Sequence, residues 1–271
     1  MWWTLLTAVA VPTTGCLAWH RWNRVQLYRR LASERTSLIA RQHVGFDLPS
    51  PAESTREAFA REPIARIDRV LTEETRQAAL AECAQHRSLI ERSYVPGHKK
   101  GGTICYERVH RHLPICLSIY HSRVLQDYLS DLIGSEVRPT GDHDQSSCSV
   151  LMYTEAGDHI GWHYDHNFYR GRHFTVLIPL INRSAAGDDV SQSLLKQQRP
   201  GNEDAVFSTA ANSLILFEGA RIRHCATPLG DGELRIMLSM TYATDSRIRL
   251  SHEIARRIKD TAFFGVRALW D

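Results

Sequence analysis

The sequence has little net charge. Its 33 lysines and arginines against 30 acidic residues leave +3 over 271 residues, too small an excess to point to a nucleic-acid partner. Patterned cysteines are also absent. Cys16, Cys83, Cys105, Cys116, Cys148 and Cys225 show neither CxxC spacing nor a framework pattern, so no zinc cluster or disulfide scaffold is indicated, and free thiols in a reducing compartment are the plain reading. The composition, 43% hydrophobic and 23% charged, lacks the bias of an extensively disordered chain. There is no positive charge ahead of the first apolar run, which argues against a cleaved signal peptide, and no attached peptide-binding module is visible.

Residues 1–19 contain no charged side chain and carry Trp2, Trp3 and Trp19, with Trp22 just beyond. That is about the shortest length that spans a bilayer, and the aromatic ends suit its two interfaces, so a single-pass anchor is expected here. Arg21, Arg24, Arg29, Arg30, Arg35 and Arg41 follow against a single Glu34, which puts the downstream chain on the cytoplasmic side. Thr4, Thr7, Pro12, Thr13, Thr14 and Gly15 dilute the run, so a surface helix or an ordinary extension stays open. Cys16 after Thr-Thr-Gly lacks the aliphatic residue expected before a lipoprotein cysteine. Residues 20–62 form a basic juxtamembrane segment and linker. Val25 to Val44 reads as an amphipathic helix on anionic lipid or a solvated one, and 45–62 as linker with a helical turn.

The chemistry concentrates between Ser149 and Asp165. His163 and Asp165, two residues apart on a strand, project from one side and can reach one ion. A third ligand should come from a later strand. His224 is the candidate, directly after the apolar run 212–219, and Arg235 then opens another apolar strand, where an arginine is costly unless it meets an anion. The chain has 14 histidines, so most serve elsewhere. His159 and His166 are poorly spaced to be ligands, and Trp162 faces away by alternation.

The order His163, Asp165, His224, Arg235, each in a strand-like stretch, resembles the Fe(II)- and 2-oxoglutarate-dependent dioxygenases, and its surroundings are similar to the prolyl-hydroxylase-like branch. The resemblance covers residues 63–271. It implies a mainly β domain with flanking helices, a double-stranded β-helix (jelly roll), preceded by the membrane-anchor helix. It implies His163, Asp165 and His224 as metal ligands and Arg235 on the distal carboxylate of 2-oxoglutarate, with Fe(II), 2-oxoglutarate and O₂ as the reacting set. Tyr153 stands where related enzymes place a tyrosine toward 2-oxoglutarate. Ser239 shares the face of Arg235, although the family commonly has its hydroxyl two residues after the arginine, where this chain has Met237. Related halogenases carry a small residue at the position of Asp165, so hydroxylation of a C–H bond, with release of succinate and CO₂, is the expected reaction. The substrate is expected to be a small or lipid-linked molecule, with a protein also open. The rivals are a catalytically silent, membrane-tethered jelly roll used for binding or sensing, and a cupin-type metal enzyme.

Around these residues the periodicity predicts an entry strand at 64–71, a helix capped by Thr72 and running to about His86, a mobile basic loop at 94–103, and one or two helices at 113–134 stopped by Gly134. Lys99, Lys100, Arg108, His110, Arg111 and His112 could meet an acidic group but read first as a solvated charge run, and Asp142, His143 and Asp144 could bind metal but read first as a solvated loop. Residues 173–182 form a strand with Thr175 and Leu177 on one face and Val176 and Ile178 on the other. Residues 183–203 form a long excursion and a second possible lid, and the tail from Leu250 packs on the domain.

Overall fold

The computed structural model describes residues 22, 25–27, 29–142, 144–187, 190–201, 203–248 and 250–264. The expected anchor at 1–19 and His143 lie outside them. Among the described residues no helix is long and apolar enough to cross a membrane.

The elements in chain order are α1 (Glu53–Arg61), β1 (Ile64–Ile67), α2 (Glu73–Gln85), β2 (Glu91–Val95), β3 (Lys99–Ile104), α3 (Tyr106–His112), α4 (Pro114–His121), α5 (Arg123–Ile133), β4 (Arg138–Pro139) and β5 (Cys148–Tyr153). Then come β6 (His159–His163), β7 (His173–Arg183), β8 (Leu195–Gln198), β9 (Asp204–Phe207), β10 (Leu214–Phe217), β11 (His224–Ala226), β12 (Leu234–Ala243) and α6 (Leu250–Phe264). The strands form one antiparallel sheet in the order β1-β10-β7-β12-β5-β3-β6-β11-β8-β9, with β2 on β3 and β4 on β12. The sheet curls into a nearly closed barrel, as expected of a jelly roll, so that residues from β5, β6, β7, β10, β11 and β12 line one cavity.

Period-two alternation divides each central strand between two tasks. On β12, Ile236, Leu238 and Met240 are buried in the outer core, while Arg235, Met237, Ser239 and Thr241 face the cavity. On β7, Phe174, Val176 and Ile178 point to that core and His173, Thr175 and Leu177 to the cavity; on β5 the split is Cys148, Val150 and Met152 against Ser149, Leu151 and Tyr153. The outward residues are covered by apolar side chains of α2 to α5, among them Ala79, Val109, Leu117 and Leu129. Each fully buried Leu, Ile or Met contributes about 1.5–3 kcal/mol by leaving water. The long β7–β12 ladder shifts register between Ile236 and Met237, where Pro179 sits opposite Met237. Proline has no N–H to give the ladder, so a bulge is where it fits.

The local signals act as expected. Thr72 caps α2, its hydroxyl accepting from the N–H of Thr75, and α5 ends at Gly134, in the left-handed conformation at φ 73°. The five described cysteines are free and buried.

Several expectations need correction. The basic stretch at 94–103 is the β2–β3 hairpin, built into the sheet, with Lys99 buried. The linker contains a nine-residue helix, α1, whose Phe59 enters the core. Residues 29–39 are helical and dock on the domain: Arg35 donates to both Asp142 oxygens at 2.6 Å, and Leu38 packs on the core. Asp144 is buried in place of a solvated loop position, and the excursion 183–203 contains β8, paired with β11 and β9.

Candidate active site

Strands β6 and β11 pair so that His163 stands opposite His224. The rings lie 4.2 Å apart between centroids, and Asp165, just past the end of β6, puts Oδ1 at 3.5 Å from His163 Nε2 and 3.8 Å from His224 Nε2. Ligand atoms of the three lie within 4.8 Å of one another. Each imidazole donates its other nitrogen to a backbone carbonyl, His163 Nδ1 to Gly161 at 2.8 Å and His224 Nδ1 to Ile222 at 3.0 Å. These bonds fix the tautomer that turns Nε2 toward an ion. Thr175 donates to Asp165 Oδ2 at 2.6 Å, and the Asp165 N–H donates to Gly219 O at 3.0 Å. Gly219 has no room for a side chain, because a Cβ there would lie 2.2 Å from Asp165 Oδ2.

The electrostatics suit a cation. Burial pushes the Asp165 carboxyl up, yet His224, His163 and Thr175 outweigh it and hold it well below the usual carboxylate range. Burial lowers His224 and keeps it neutral; at His163 the opposing effect of Asp165 prevails and raises it. Two imidazoles and one carboxylate on one face, with the other side open to a cavity, is the donor set that suits a mononuclear non-haem Fe(II).

That cavity has a volume of about 260 Å³. Arg235 lies in its wall, only 2% exposed, opposite Tyr153 in the β12–β5 register. Its Nη1 donates to Ser193 Oγ at 2.9 Å, while its Nε is buried without a hydrogen-bond partner, and its Cζ lies 5.6 Å from the centre of the Tyr153 ring. A buried guanidinium with an unused donor calls for an anion. Burial pushes the Tyr153 phenol up to about 12 against the opposing effect of Arg235, so it stays a donor at neutral pH. Gly101 on β3 leaves space for that ring, since a Cβ would lie 2.8 Å from Tyr153 Cε1. Ser239 also lines the cavity, separated from Arg235 by the apolar Met237.

Of the other histidines near the ligands, His159 Nδ1 donates to Gly157 O at 2.8 Å, and His166 stacks on Phe168 at the cavity wall. Arg223 lies over Trp162, and Arg221 pairs with Glu218. Residues the sequence reading missed include Ser193 on Arg235 and Lys259 in the cavity wall, where Lys99 and Asp144, read first as solvated, also lie.

A family model described as Halogenase D matches residues 49–263. The chain belongs to the Halogenase D family. The match takes in every residue of the site and the whole sheet. No curated protein matches the chain. Solved structures share its fold at low identity. The 2-oxoglutarate-dependent epimerase SnoN from nogalamycin biosynthesis is 14% identical, over 70% of this chain and 80% of its own, with a TM-score of 0.59. AviO1 from Streptomyces viridochromogenes is 13% identical over 74% and 98%, TM-score 0.58, and a Trichoplax adhaerens prolyl hydroxylase is 16% identical over 70% and 87%, TM-score 0.53. The family model is thus a different one from the prolyl-hydroxylase-like branch the sequence suggested.

Proposed function

We propose that this protein is an Fe(II)- and 2-oxoglutarate-dependent oxygenase that hydroxylates a C–H bond of a small molecule. His163, Asp165 and His224 hold the iron, Arg235 takes the distal carboxylate of 2-oxoglutarate, and Tyr153 and Ser239 line its path. Fe(II) with 2-oxoglutarate and O₂ supplies the oxidant for C–H cleavage, releasing succinate and CO₂. The observation that carries the reading is the buried Arg235, with its Nε unused, in the wall of the cavity onto which the three ligands open. The intact set His163, Asp165 and His224 beside Arg235 argues against a silent binding module, which needs no metal ligands. The structural neighbours agree in kind, since SnoN was also solved with Fe³⁺ and 2-oxoglutarate bound, in complex with nogalamycin RO.

The family's name points to halogenation. Asp165 favours hydroxylation here, because its carboxylate fills the position that a small residue leaves open for halide in related halogenases. Gly219 and Thr175 are shaped around that carboxylate. Anchoring through residues 1–19, with the domain on the cytoplasmic side, belongs to the same proposal and rests on the sequence.

The test is succinate formation from 2-oxoglutarate by the anaerobically iron-loaded full chain, with His163→Ala and Arg235→Ala alongside. His163→Ala should abolish turnover, and high 2-oxoglutarate should restore it in Arg235→Ala. Failure of the wild type to bind iron and 2-oxoglutarate would overturn the proposal.

A further inference from the structure

The cavity extends past the metal ligands on the side away from Arg235. Along the β7–β12 ladder Arg235 stands opposite Asn182, Thr241 opposite Thr175 and Ala243 opposite His173. Thr175 is the residue that holds Asp165, and His173 is the next residue on the same face of β7, about 7 Å further from Arg235. A 2-oxoglutarate held between Arg235 and the metal occupies the near side, which leaves the His173 end for a second molecule.

The charged groups at that end are already engaged. Lys259 reaches in from α6, its Nζ donating to Asp144 Oδ1 and to Ser146 Oγ, both at 3.1 Å, and pairing with Asp260 Oδ1 at 3.2 Å. Asp144 also accepts the Tyr169 hydroxyl on Oδ2 at 2.8 Å and the Ser146 N–H on Oδ1 at 2.9 Å. Arg256 pairs with Asp260 Oδ2 at 2.6 Å and with Glu253 Oε1 at 3.1 Å. Lys99 is engaged as well, in part through Thr103 Oγ1 at 3.4 Å. A charged substrate group would have to break one of these contacts to find a counter-charge, and burying it without one is costly.

What is left over is neutral. His173, 5% exposed, stacks on the Tyr169 ring at 5.5 Å between centroids, and its buried Nδ1 has no hydrogen-bond partner. Burial holds this imidazole below its usual range against the opposing effect of Asp165 and Asp144, so it is an uncharged ring with one donor and one acceptor. Beside it Ser146 accepts from Lys259, and among the described residues its own hydroxyl hydrogen goes to no acceptor. Such atoms are costly to bury unpaired. A carboxylate only accepts and an ammonium only donates, whereas a hydroxyl or a primary amide does both.

We infer that this end of the cavity is the substrate subsite, and that His173, with Ser146 beside it, selects an uncharged substrate through a hydroxyl or primary amide. The inference rests on the proposed function, since it assigns Arg235 to 2-oxoglutarate.

The experiment uses the full chain with Fe(II) and saturating 2-oxoglutarate under anaerobic conditions. Saturation-transfer NMR compares probes of one size: butan-1-ol, butyramide, butyrate, butylammonium and methyl propyl ether, an isomer of the alcohol that only accepts. The alcohol and the amide should bind at least about tenfold tighter than the two ions, and at least about threefold tighter than the ether, without displacing 2-oxoglutarate. His173→Phe should bring the alcohol and the amide down to the ether, whereas His173→Asn, which keeps a neutral hydrogen-bonding group, should retain their advantage. Binding of 2-oxoglutarate, followed separately, reports folding; if His173→Phe loses it, Ser146→Ala decides, with an expected loss of about threefold for the alcohol. An ion that binds as tightly as the alcohol, an alcohol no tighter than its ether, or an advantage that survives these variants overturns the inference and leaves the proposed function intact. Absence of 2-oxoglutarate binding in the wild type overturns both.

Discussion

Replacing Gly219 by alanine should weaken the metal site without unfolding the protein. Gly219 follows β10, and its carbonyl accepts the N–H of Asp165 at 3.0 Å. An added Cβ would lie 2.2 Å from Oδ2, 2.5 Å from Cβ and 2.6 Å from Cγ of Asp165, where ordinary contact between such atoms is about 3.5–4.0 Å. The backbone of Gly219 is outside the left-handed region, so alanine brings no conformational strain, and the clash falls on one neighbour. Asp165 must retreat by about 1 Å, and with it the oxygen that Thr175 holds at 2.6 Å. Loss of support around a metal ligand typically costs about 10–100-fold in affinity, or about 1.4–2.8 kcal/mol. Fe(II) titration of the anaerobic protein against a competing chelator measures this, with the thermal midpoint as the check on folding. A double-mutant cycle with Asp165→Gly isolates the cause. Once the whole Asp165 side chain is gone, Gly219→Ala should add less than about threefold, because every atom it strikes is absent. Wild-type iron affinity in Gly219→Ala, or an equal loss in both backgrounds, would refute the reasoning.

Two further outcomes follow from buried polar groups. Ser193→Ala removes the acceptor of Arg235 Nη1, so the guanidinium loses its orientation; half-saturating 2-oxoglutarate should rise about tenfold, as expected for a hydrogen bond to a charged group, with kcat little changed. An unchanged half-saturation would show that Ser193 does not position Arg235. At the end of α4, burial first and Arg35 second drive the His121 imidazole down to about 3, whereas an unfolded chain has about 6.5. Above about pH 6.5 both states are neutral; below it only the unfolded chain takes the proton, so stability falls by up to about 1.4 kcal/mol per unit until about pH 3. Denaturant midpoints at about pH 7 and about pH 5, in wild type and His121→Phe, test this: the variant should lose less stability, and equal losses would rule His121 out as the source.

What could be read in the sequence was whatever short-range periodicity controls. His163 and Asp165 share a face because side chains alternate along β6 and its continuation, and the same rule separates Thr175 and Leu177 from Val176 and Ile178. Thr72 and Gly134 act on their own backbones, so their helix ends were equally legible. Lys99 to Thr103 misled because Gly101 and Gly102 weaken strand propensity. The reason for a glycine at 101 is the Tyr153 ring, which belongs to β5 and leaves no trace in the local pattern. The same holds for the polar end of the cavity. Asp144 sits in a polar loop and Lys259 on a helix 115 residues later, and neither stretch says that the two ammonium–carboxylate partners meet in the interior. A loop carboxylate is solvated unless the fold brings it a cation, and only the closed barrel with α6 across it does so. Ser193 follows the same logic: its neighbours 183–203 are polar because they run over the surface, until β8 pairs with β11 and carries the serine hydroxyl to Arg235. The metal ligands and Arg235 were therefore legible as chemistry, because each is anomalous in its own strand. The meeting of Asp144 with Lys259 was not, because each is ordinary where it stands in the chain and unusual only in what it faces.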